Sequence, residues 1–306
     1  MFSAFRPDQA IVDAVRSVAG QLSGPVVVVD DGSGAGYEHV WSALSEAGAR
    51  VVRREENQGI AGALNHGIRV ASAGDAVDAV ITFDQDSTVD DGFVSALVEA
   101  EGDAVRRGHG VGVVVPEFFA GVSQVRSRRP DGTLLARHAI QSGMLIPRRT
   151  IEAVGLLRED LFIDLVDTEY ELRCHVAGLA SVAAPGVRLG HALGRQYRRE
   201  SFGRPVSLPG IPPVVTLSTP FRYYYRVRNR RVVNRLYLRR APAWILRDSL
   251  VEVLHFGNAW MLARPRRALW RLYRGGWRDA GAGRLGRIPD SLEREAASIS
   301  WAAPPA

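Results

Sequence analysis

The sequence predicts an α/β fold over about its first 200 residues, followed by a basic helical region. Short apolar runs rich in β-branched residues alternate there with segments whose apolar residues recur at helical spacing, which is typical of a mostly parallel sheet covered by helices. Acidic residues follow directly after two of these runs, where parallel α/β sheets gather their ligands. Beyond residue 220, arginines recur within helical segments.

The predicted elements alternate along the front of the chain. We expect strands at the apolar runs Val26–Val29, Ala49–Val52, Asp78–Phe83, Val111–Val115 and Met144–Ile146. Helical spacing predicts helices over Ile11–Ala19, Ile60–Val70, Phe93–Val105 and Asp167–Ala177. The polar, glycine- and arginine-rich stretch Phe118–Ala136 reads as a surface excursion.

The predicted domain organisation follows from a change in composition near residue 200. We expect a nucleotide-binding part over about 1–115, an acceptor-binding part over about 116–200, a proline-rich connection over 201–220 and a basic helical region over 221–306. Helices are predicted in the last region over Phe221–Leu238, Trp244–Leu262 and Pro265–Tyr273. Residues 195–287 contain 21 arginines and four acidic residues, whereas the rest of the chain contains 18 arginines and 29 acidic residues. This asymmetry indicates two different tasks in one chain.

The overall composition of the 306 residues is that of an ordinary globular protein, with 46% hydrophobic and 24% charged residues. All 39 basic side chains are arginine. The single cysteine, Cys174, excludes a disulfide framework and a cysteine-based zinc site, and we expect a reducing, cytoplasmic location. The first residues lack the apolar segment of a secretory signal, and no apolar run approaches the ~18 residues expected of a membrane span.

The first acidic cluster, Asp30-Asp31-Gly32-Ser33, follows an apolar strand. A carboxylate there can accept the imide N–H of a uracil or thymine ring, and Gly32 lets the backbone turn close to a ligand. A solvated turn, or a helix cap by Asp30 or Ser33, explains the same residues equally well.

The second cluster, Asp84-Gln85-Asp86-Ser87, leaves the strand that ends at Phe83. Two carboxylates at i and i+2 can turn toward one hard cation, and oxygen ligands select Mg²⁺ or Mn²⁺. Such an ion can bridge to a diphosphate and neutralise the charge that develops as it leaves.

The third cluster places Asp164, Asp167, Glu169 and Glu171 at the start of a predicted helix, which is more acid than capping requires. At least one is a candidate general base, and Arg173 can pair with another. His191 either completes a metal site or is a structural histidine.

Two other enzyme classes fit parts of this pattern. Asp84-x-Asp86-x-Thr88 matches the nucleophile motif of haloacid-dehalogenase-type phosphatases, but that chemistry uses a lysine, which this chain lacks. Gly32-Ser-Gly34-Ala-Gly36 follows a strand as in dinucleotide-binding folds, but its spacing differs from G-x-G-x-x-G and the adjacent carboxylates would repel a pyrophosphate.

Taken together, the clusters resemble the family 2 inverting glycosyltransferases of GT-A fold, in particular their rhamnosyltransferase-like group. Seven segments carry the resemblance, in the family's order: 27–33, Asn57–Gly67, 83–87, Gln141–Pro147, Phe162–Arg173, His191–Gly194 and Tyr223–Asn229. They span about residues 1–235. The chain departs from the family at its start, where Arg6 precedes Pro7 in place of the usual asparagine and the first strand is short.

The resemblance implies a role for each matching residue. It assigns the nucleotide-sugar donor to Asp30, Asp31, Gly32, Ser33, Asn57, Gly59, Asn65, Asp84 and Gln85. It assigns a Mg²⁺ or Mn²⁺ ion to Asp84, Asp86 and His191, and the acceptor side to Ser142, Gly143, Glu169 and Arg173. Asp167 matches the catalytic base, which takes the proton of the acceptor hydroxyl as that oxygen attacks the anomeric carbon in line.

The resemblance favours L-rhamnose from dTDP-rhamnose as the transferred sugar, with galactofuranose from UDP as the alternative. The expected acceptor is a hydroxyl of a cell-envelope glycan or of a polyprenyl-linked glycan. Helices with arginine on one face and Trp, Tyr and Leu on the other suit a membrane interface, although they can also pack on the catalytic domain and expose their arginines. Nucleic-acid binding, or a binding role without turnover, would leave the acidic clusters without a purpose, so we do not expect either.

Overall fold

The structure is a computed structural model that describes residues 1–73, 77–191, 196–198, 200–201, 204–205 and 214–302. The chain divides into two compact units, of which the first comprises Met1–Phe162 and Val166–Ala192 and the second Ile163–Leu165 and Leu193–Ala306. The predicted connection 201–220 falls largely outside the described residues.

The first unit alternates strands and helices. Its strands are β1 Phe2–Ala4, β2 Val27–Asp30, β3 Arg50–Arg53, β4 Ala79–Asp84, β5 Thr88–Val89, β6 Val111–Phe119, β7 Val122–Ser123, β8 Val125–Arg128, β9 Leu134–Ala136, β10 Met144–Pro147 and β11 Ala180–Gly190. Its helices are α1 Ala10–Ala19, α2 Glu38–Glu46, α3 Ile60–Ala71, α4 Phe93–Arg106, α5 Arg148–Val154 and α6 Val166–Val176, with a short 3-10 turn at Glu159–Leu161.

All eleven strands form one sheet, whose main path has the order β3-β2-β1-β4-β10-β6-β11-β9-β8. Six of the strands, β3, β2, β1, β4, β6 and β11, run in one direction, and β10 runs antiparallel between β4 and β6. The α/β class and the mostly parallel sheet predicted from the sequence are therefore confirmed. The carboxyl ends of β2 and β4, both adjacent to β1, carry the first two acidic clusters to one edge.

The core of this unit forms where the apolar faces of the helices cover the sheet. The first strand is short but central, because Phe2 pairs with both Val28 and Phe83 and stacks on the Phe83 ring with centroids 4.9 Å apart. Leu97 of α4 and Ile11 of α1 are fully buried in the same cluster.

Phe118–Ala136 differs from its predicted role as a surface excursion. It contains the end of β6 and the strands β7, β8 and β9, and Leu134 and Ala136 are buried against the sheet. Its glycines and arginines belong to the hairpin turns and exposed faces. Because these residues dominate the composition of the stretch, the short apolar strand β9 was not predicted. The helices α2 and α5 and the strand β11 were not predicted either.

The second unit is largely helical where it is described. Its helices are α7 Arg222–Tyr237, α8 Pro242–Leu262, α9 Arg266–Gly281 and α10 Asp290–Ala297. Short strand pairs accompany them: β12 Gln196–Arg198, β13 Glu200–Ser201, β14 Arg204–Pro205, β15 Val214–Thr216, β16 Ala263–Arg264 and β17 Ser300–Trp301. The predicted helical, arginine-rich C-terminal region is confirmed, although α9 runs further than Tyr273 and α10 was not predicted.

Helices α7 and α9 pack closely because α9 carries glycine at the contact. A Cβ on Gly276 would lie 2.5 Å from the Tyr224 carbonyl oxygen, so this position needs glycine. Arg228 is fully buried beside it, with its guanidinium over the Tyr225 ring and its Nε donating to Asn229. In the part of the chain that the structure describes, no helix has the length and apolarity needed to span a membrane.

Candidate active site

The turn after β2 holds the first acidic cluster in a fixed shape. Asp30 is the last residue of β2 and is buried, and its Oδ1 accepts a hydrogen bond of 2.9 Å from the backbone N–H of Ser33. Ser33 in turn accepts one of 2.7 Å from the backbone N–H of Arg6. Arg53 Nε lies 3.6 Å from Asp30 Oδ2, so this carboxylate has a cation beside it.

Asp31 fastens the segment that precedes α3. Its carboxylate accepts hydrogen bonds from the backbone N–H groups of Gln58 and Gly59, at 3.1 and 2.8 Å, and from Arg54 at 3.0 Å. Burial raises the pKa of Asp31 above its usual value, while the hydrogen bonds and Arg54 act in the opposite direction. Asp31 thus holds the loop before α3 in place, and its predicted contact with the donor stays a prediction.

Two glycines let this segment approach its neighbours. Gly32 has φ +77°, and a Cβ there would lie 2.6 Å from the backbone nitrogen of Asn57. Gly59 has φ +85°, and a Cβ there would overlap the carbonyl oxygen of Phe162. The side chain of Asn57 accepts a second hydrogen bond from the Gly59 N–H. Asp31, Gly32, Asn57 and Gly59 therefore lie in two loops that contact each other closely, and their donor-binding roles stay predictions.

Asn65 lies within α3 and is 1% exposed. Its amide donates to the Leu157 carbonyl and to Glu159, both at 2.8 Å, and accepts from the Leu157 N–H at 3.0 Å. These contacts tie α3 to the 3-10 turn. Its predicted contact with the donor is a prediction that the structure does not test.

The second cluster begins where β4 ends. Gln141 donates a side-chain hydrogen bond to Asp84 Oδ1, and the Asp84 N–H donates to Ser142 Oγ at 3.1 Å. Ser142 Oγ also lies 2.5 Å from Ser87 Oγ. The turn from Asp84 to Ser87 is closed by a hydrogen bond from the Ser87 N–H to the Asp84 carbonyl. Gln85 Oε1 accepts from the Phe5 N–H at 2.9 Å.

A strand pairing carries His191 to this turn. The strand β5, just after Asp86, pairs with the end of β11, so that Thr88 lies opposite Gly190. A Cβ on Gly190 would overlap Thr88 Oγ1, so the glycine leaves room for the Thr88 side chain at this pairing. His191 follows at once, with its ring 4.8 Å from that of Phe119. Ligand atoms of Asp84, Asp86 and His191 consequently all lie within 4.8 Å of one another.

The electrostatics of this group fit a cation. Burial raises the pKa of Asp84 to about 6, with His191 opposing the shift and Asp86 and Asp167 adding to it. Two carboxylates and an imidazole converge there, and a divalent ion would offset the repulsion between the acids. Carboxylate oxygens with one imidazole nitrogen suit Mn²⁺ well and also accept Mg²⁺.

Asp167 lies in the first turn of α6, where its Oδ1 accepts from the Thr168 N–H at 2.7 Å. Burial is the main cause of the raised pKa of Asp84, and the charge of Asp167 adds to it. The residues just before it have positive φ: 66° at Phe162, 62° at Asp164 and 60° at Leu165. Three such residues in four store backbone strain, which is a common property of functional loops.

The residues predicted on the acceptor side are mostly buried. Ser142 has no exposed surface, and Gly143 has φ +77° with its N–H bonded to the Thr82 carbonyl at 2.7 Å. Glu169 is 3% exposed and pairs with Arg173 at 2.7 Å. Arg173 also donates to the Val154 and Leu156 carbonyls, both at 2.8 Å. Ser142 therefore supports the Asp84 turn and Arg173 ties α6 to the end of α5, while their acceptor roles stay predictions.

The family model of Glycosyl transferase family 2 matches residues 4–133, which include the first two acidic clusters. This part of the chain is similar to the family 2 glycosyltransferases. The chain is 30% identical over 189 residues to dTDP-rhamnosyl transferase RfbF of Shigella flexneri, a match that covers 56% of this chain and 58% of the relative. The chain therefore spans little more than half the length of that curated relative.

Solved structures of low sequence identity share the fold. The mannosyltransferase PcManGT of Pyrobaculum calidifontis, solved with GDP-Man and Mn²⁺, is 17% identical with a TM-score of 0.51, over 92% of this chain and 85% of its own. GalNAc-T7, solved with UDP, GalNAc and Mn²⁺, is 16% identical with a TM-score of 0.52, over 76% of this chain and 46% of its own. Unit 1 has the GT-A fold.

Sequence reasoning missed one residue of the candidate site. Gln141 is 6% exposed and holds Asp84, yet only its neighbours Ser142 and Gly143 were assigned a role. Its position directly before a predicted functional Ser-Gly pair was the available signal. No local pattern indicated the β5–β11 pairing, because its two strands lie a hundred residues apart.

Proposed function

We propose that the protein is a metal-dependent inverting glycosyltransferase that moves L-rhamnose from dTDP-rhamnose onto a hydroxyl group of a glycan acceptor. The observation that carries this proposal is the convergence of Asp84, Asp86 and His191 within 4.8 Å, with the charge of Asp167 in reach of Asp84, in a chain similar to the family 2 glycosyltransferases. A single displacement requires one base and one stabilised leaving group, and this group of residues offers both.

In the proposed reaction, the acceptor oxygen forms a bond to the anomeric carbon as the bond from that carbon to the diphosphate oxygen breaks. The Asp167 carboxylate takes the hydroxyl proton, so the acceptor attacks as an alkoxide-like oxygen. Attack opposite the leaving group inverts the anomeric centre. Asp30 and the Gly32–Ser33 turn hold the base of the donor, and Gln141 and Ser142 keep the Asp84 turn in shape.

The proposed ion is Mg²⁺ or Mn²⁺, held by Asp84, Asp86 and His191. When bound it would neutralise charge on the departing diphosphate. Support comes from the ligand atoms of these three residues and from the Mn²⁺ with which PcManGT and GalNAc-T7 were solved.

The donor is proposed from the likeness to the rhamnosyl transferase of Shigella flexneri. UDP-galactofuranose is the alternative, since the sequence motifs for the two donors are shared. A phosphatase reaction on Asp84 and Asp86 has less support, because the family 2 model covers both residues.

We further propose a cell-envelope or polyprenyl-linked glycan as acceptor, and a cytoplasmic location at the inner face of the plasma membrane. The single cysteine supports a reducing compartment, and the basic helices of unit 2 support contact with an anionic membrane surface.

The test measures release of the nucleoside diphosphate from dTDP-rhamnose and from UDP-galactofuranose. An envelope lipid extract serves as acceptor, and each assay contains Mg²⁺, Mn²⁺ or a chelator. We expect metal-dependent release from dTDP-rhamnose only. Asp86→Ala should lose this release, whereas the matched control Asp91→Ala should keep it, because Asp91 is an exposed acid outside the cluster. Release from UDP-galactofuranose alone would select the alternative donor. Equal release with chelator, or in Asp86→Ala, would refute the metal assignment.

A further inference from the structure

Helix α8 exposes an unusual amount of apolar surface. In this 21-residue helix only Ile245, Asp248 and Ala259 are buried. Seven of its large apolar residues are exposed, with between 38 and 63% of their surface accessible: Leu246, Leu250, Val251, Val253, Leu254, Trp260 and Met261. An exposed patch of this kind marks an interaction site more often than a free surface.

Most of these residues lie on one face. Leu246, Leu250, Val253, Leu254, Gly257 and Met261 follow helical spacing and form what we call the α8 stripe. It contains no charged residue and extends for about 23 Å along the helix axis, at 1.5 Å per residue.

A cavity of about 1040 Å³ within unit 2 continues this apolar surface. Val253, Phe256, Gly257, Trp260 and Tyr273 line it. The arginines that line it come from α7 and α9: Arg230, Arg231, Arg271, Arg274 and Arg278. The exposed rings of Trp270 and Trp277 also belong to the lining.

The charge beside the stripe is strongly positive. Residues 214–302 contain 18 arginines and six acidic residues, a net charge of +12. Among the described residues, the guanidinium groups of Arg267 and Arg274 on α9 have no acidic partner within salt-bridge distance. Apolar residues flanked by arginine and tryptophan are the pattern of a helix that lies in a membrane interface.

We propose that the α8 stripe inserts into an anionic lipid bilayer, with the arginines of α9 contacting lipid phosphates. The positive charge favours an anionic bilayer over a second copy of the chain as the partner of the α8 stripe. Pairing two α8 stripes would bring together two regions of net charge +12. This inference deepens the membrane contact proposed above and rests on it. It adds that apolar insertion by α8, and not arginine alone, holds the protein to the bilayer.

The experiment measures co-sedimentation with vesicles of phosphatidylcholine containing 30% phosphatidylglycerol, and with pure phosphatidylcholine. The stripe variant is Leu250→Glu with Leu254→Glu. The matched control is Val98→Glu with Val105→Glu, two exposed valines on α4 of the other unit. Because all four side chains are exposed, circular dichroism should show every variant folded.

We expect the wild-type protein and the control to bind the anionic vesicles, and the stripe variant to lose at least tenfold in partitioning. Arg267→Gln with Arg274→Gln should weaken binding to anionic vesicles and make the remainder less sensitive to salt. Tryptophan fluorescence of the wild type should shift to shorter wavelength on binding. Unchanged vesicle binding by the stripe variant would overturn the inference.

Sedimentation velocity without lipid decides between a bilayer and a protein partner. A wild-type dimer that the stripe variant converts to monomer, with vesicle binding unaltered, would make the stripe a subunit interface and overturn the inference. Transfer to a soluble acceptor, assayed on the same preparations, separates this inference from the proposed function. Stripe-dependent vesicle binding without any transfer would uphold the inference and count against the transferase.

Discussion

Nδ1 of His191 lies 3.1 Å from Oδ1 of Asp86, although the two residues are 105 positions apart in the chain. The imidazole is 18% exposed and the carboxylate 41%, so an ion between them would remain accessible from solvent. The pairing of Thr88 with Gly190 produces this proximity. The first predictions concern this arrangement.

Replacement of His191 by Gln should weaken Mn²⁺ binding by at least about tenfold, since one of three protein ligands loses its imidazole nitrogen. Isothermal titration with Mn²⁺ measures this directly. The control is His175→Gln, an exposed histidine on α6. Equal affinities in His191→Gln and in the wild type would show that the histidine is not a ligand.

Gly190→Ala should disturb the site through its neighbour on the paired strand, because the added Cβ overlaps the side-chain Oγ1 of Thr88. We expect a loss of about 1–3 kcal/mol in the free energy of unfolding and a weaker affinity for Mn²⁺. Adding Thr88→Ala removes the clashing oxygen and should restore both. The control Gly24→Ala meets no atom within 4 Å and should change neither. A double variant as impaired as the single one would contradict this explanation.

Gln141→Leu should reduce Mn²⁺ affinity by about 10–100-fold, because Asp84 loses the donor that orients it. Gln124→Leu is the matched control, since Gln124 is equally buried and bonds to the Pro116 carbonyl and the Ile140 N–H instead. Both variants should lower the melting temperature, but only Gln141→Leu should alter the metal titration. Equal losses of Mn²⁺ affinity in Gln141→Leu and Gln124→Leu would show that Gln141 acts through general packing and not by orienting Asp84.

Asp167→Asn should retain donor affinity and lower kcat by about 10²–10⁴-fold, the usual contribution of a positioned base. Donor binding measured by titration and turnover measured by nucleotide release separate the two effects. Asp160→Asn, an acid already paired with Arg158, serves as control. Near-normal turnover in Asp167→Asn would remove it as the base.

Cys174 should be inert in the folded protein, because burial raises the pKa of its thiol to about 12. At pH 8 only about one molecule in ten thousand then carries a thiolate, so an aromatic disulfide reagent should react slowly, and at full rate after unfolding in guanidinium. Fast reaction without denaturant would show that Cys174 is accessible and not buried within the fold.

Sequence reasoning located the strands that carry the acids because their β-branched runs and carboxylates are local signals. Val27–Asp30 and Ala79–Asp84 lie within a residue or two of their predicted bounds. The strand β11 escaped prediction because it is only partly buried and holds Pro185 and Gly186, which weaken the strand pattern. Ser142 shows a further limit of sequence-based prediction. The motif identifies the residue, but the burial of Ser142 depends on residues that strand pairing brings from distant parts of the chain.

The network around Asp31 bears on the thermodynamics of donor capture. Because one carboxylate holds the Gln58 and Gly59 amides and Arg54, the chain's own hydrogen bonds fix the loop before α3. The conformational entropy of that loop is lost during folding and not during binding. Donor binding at this edge should therefore show a small entropic penalty and a heat capacity change that reflects desolvation alone.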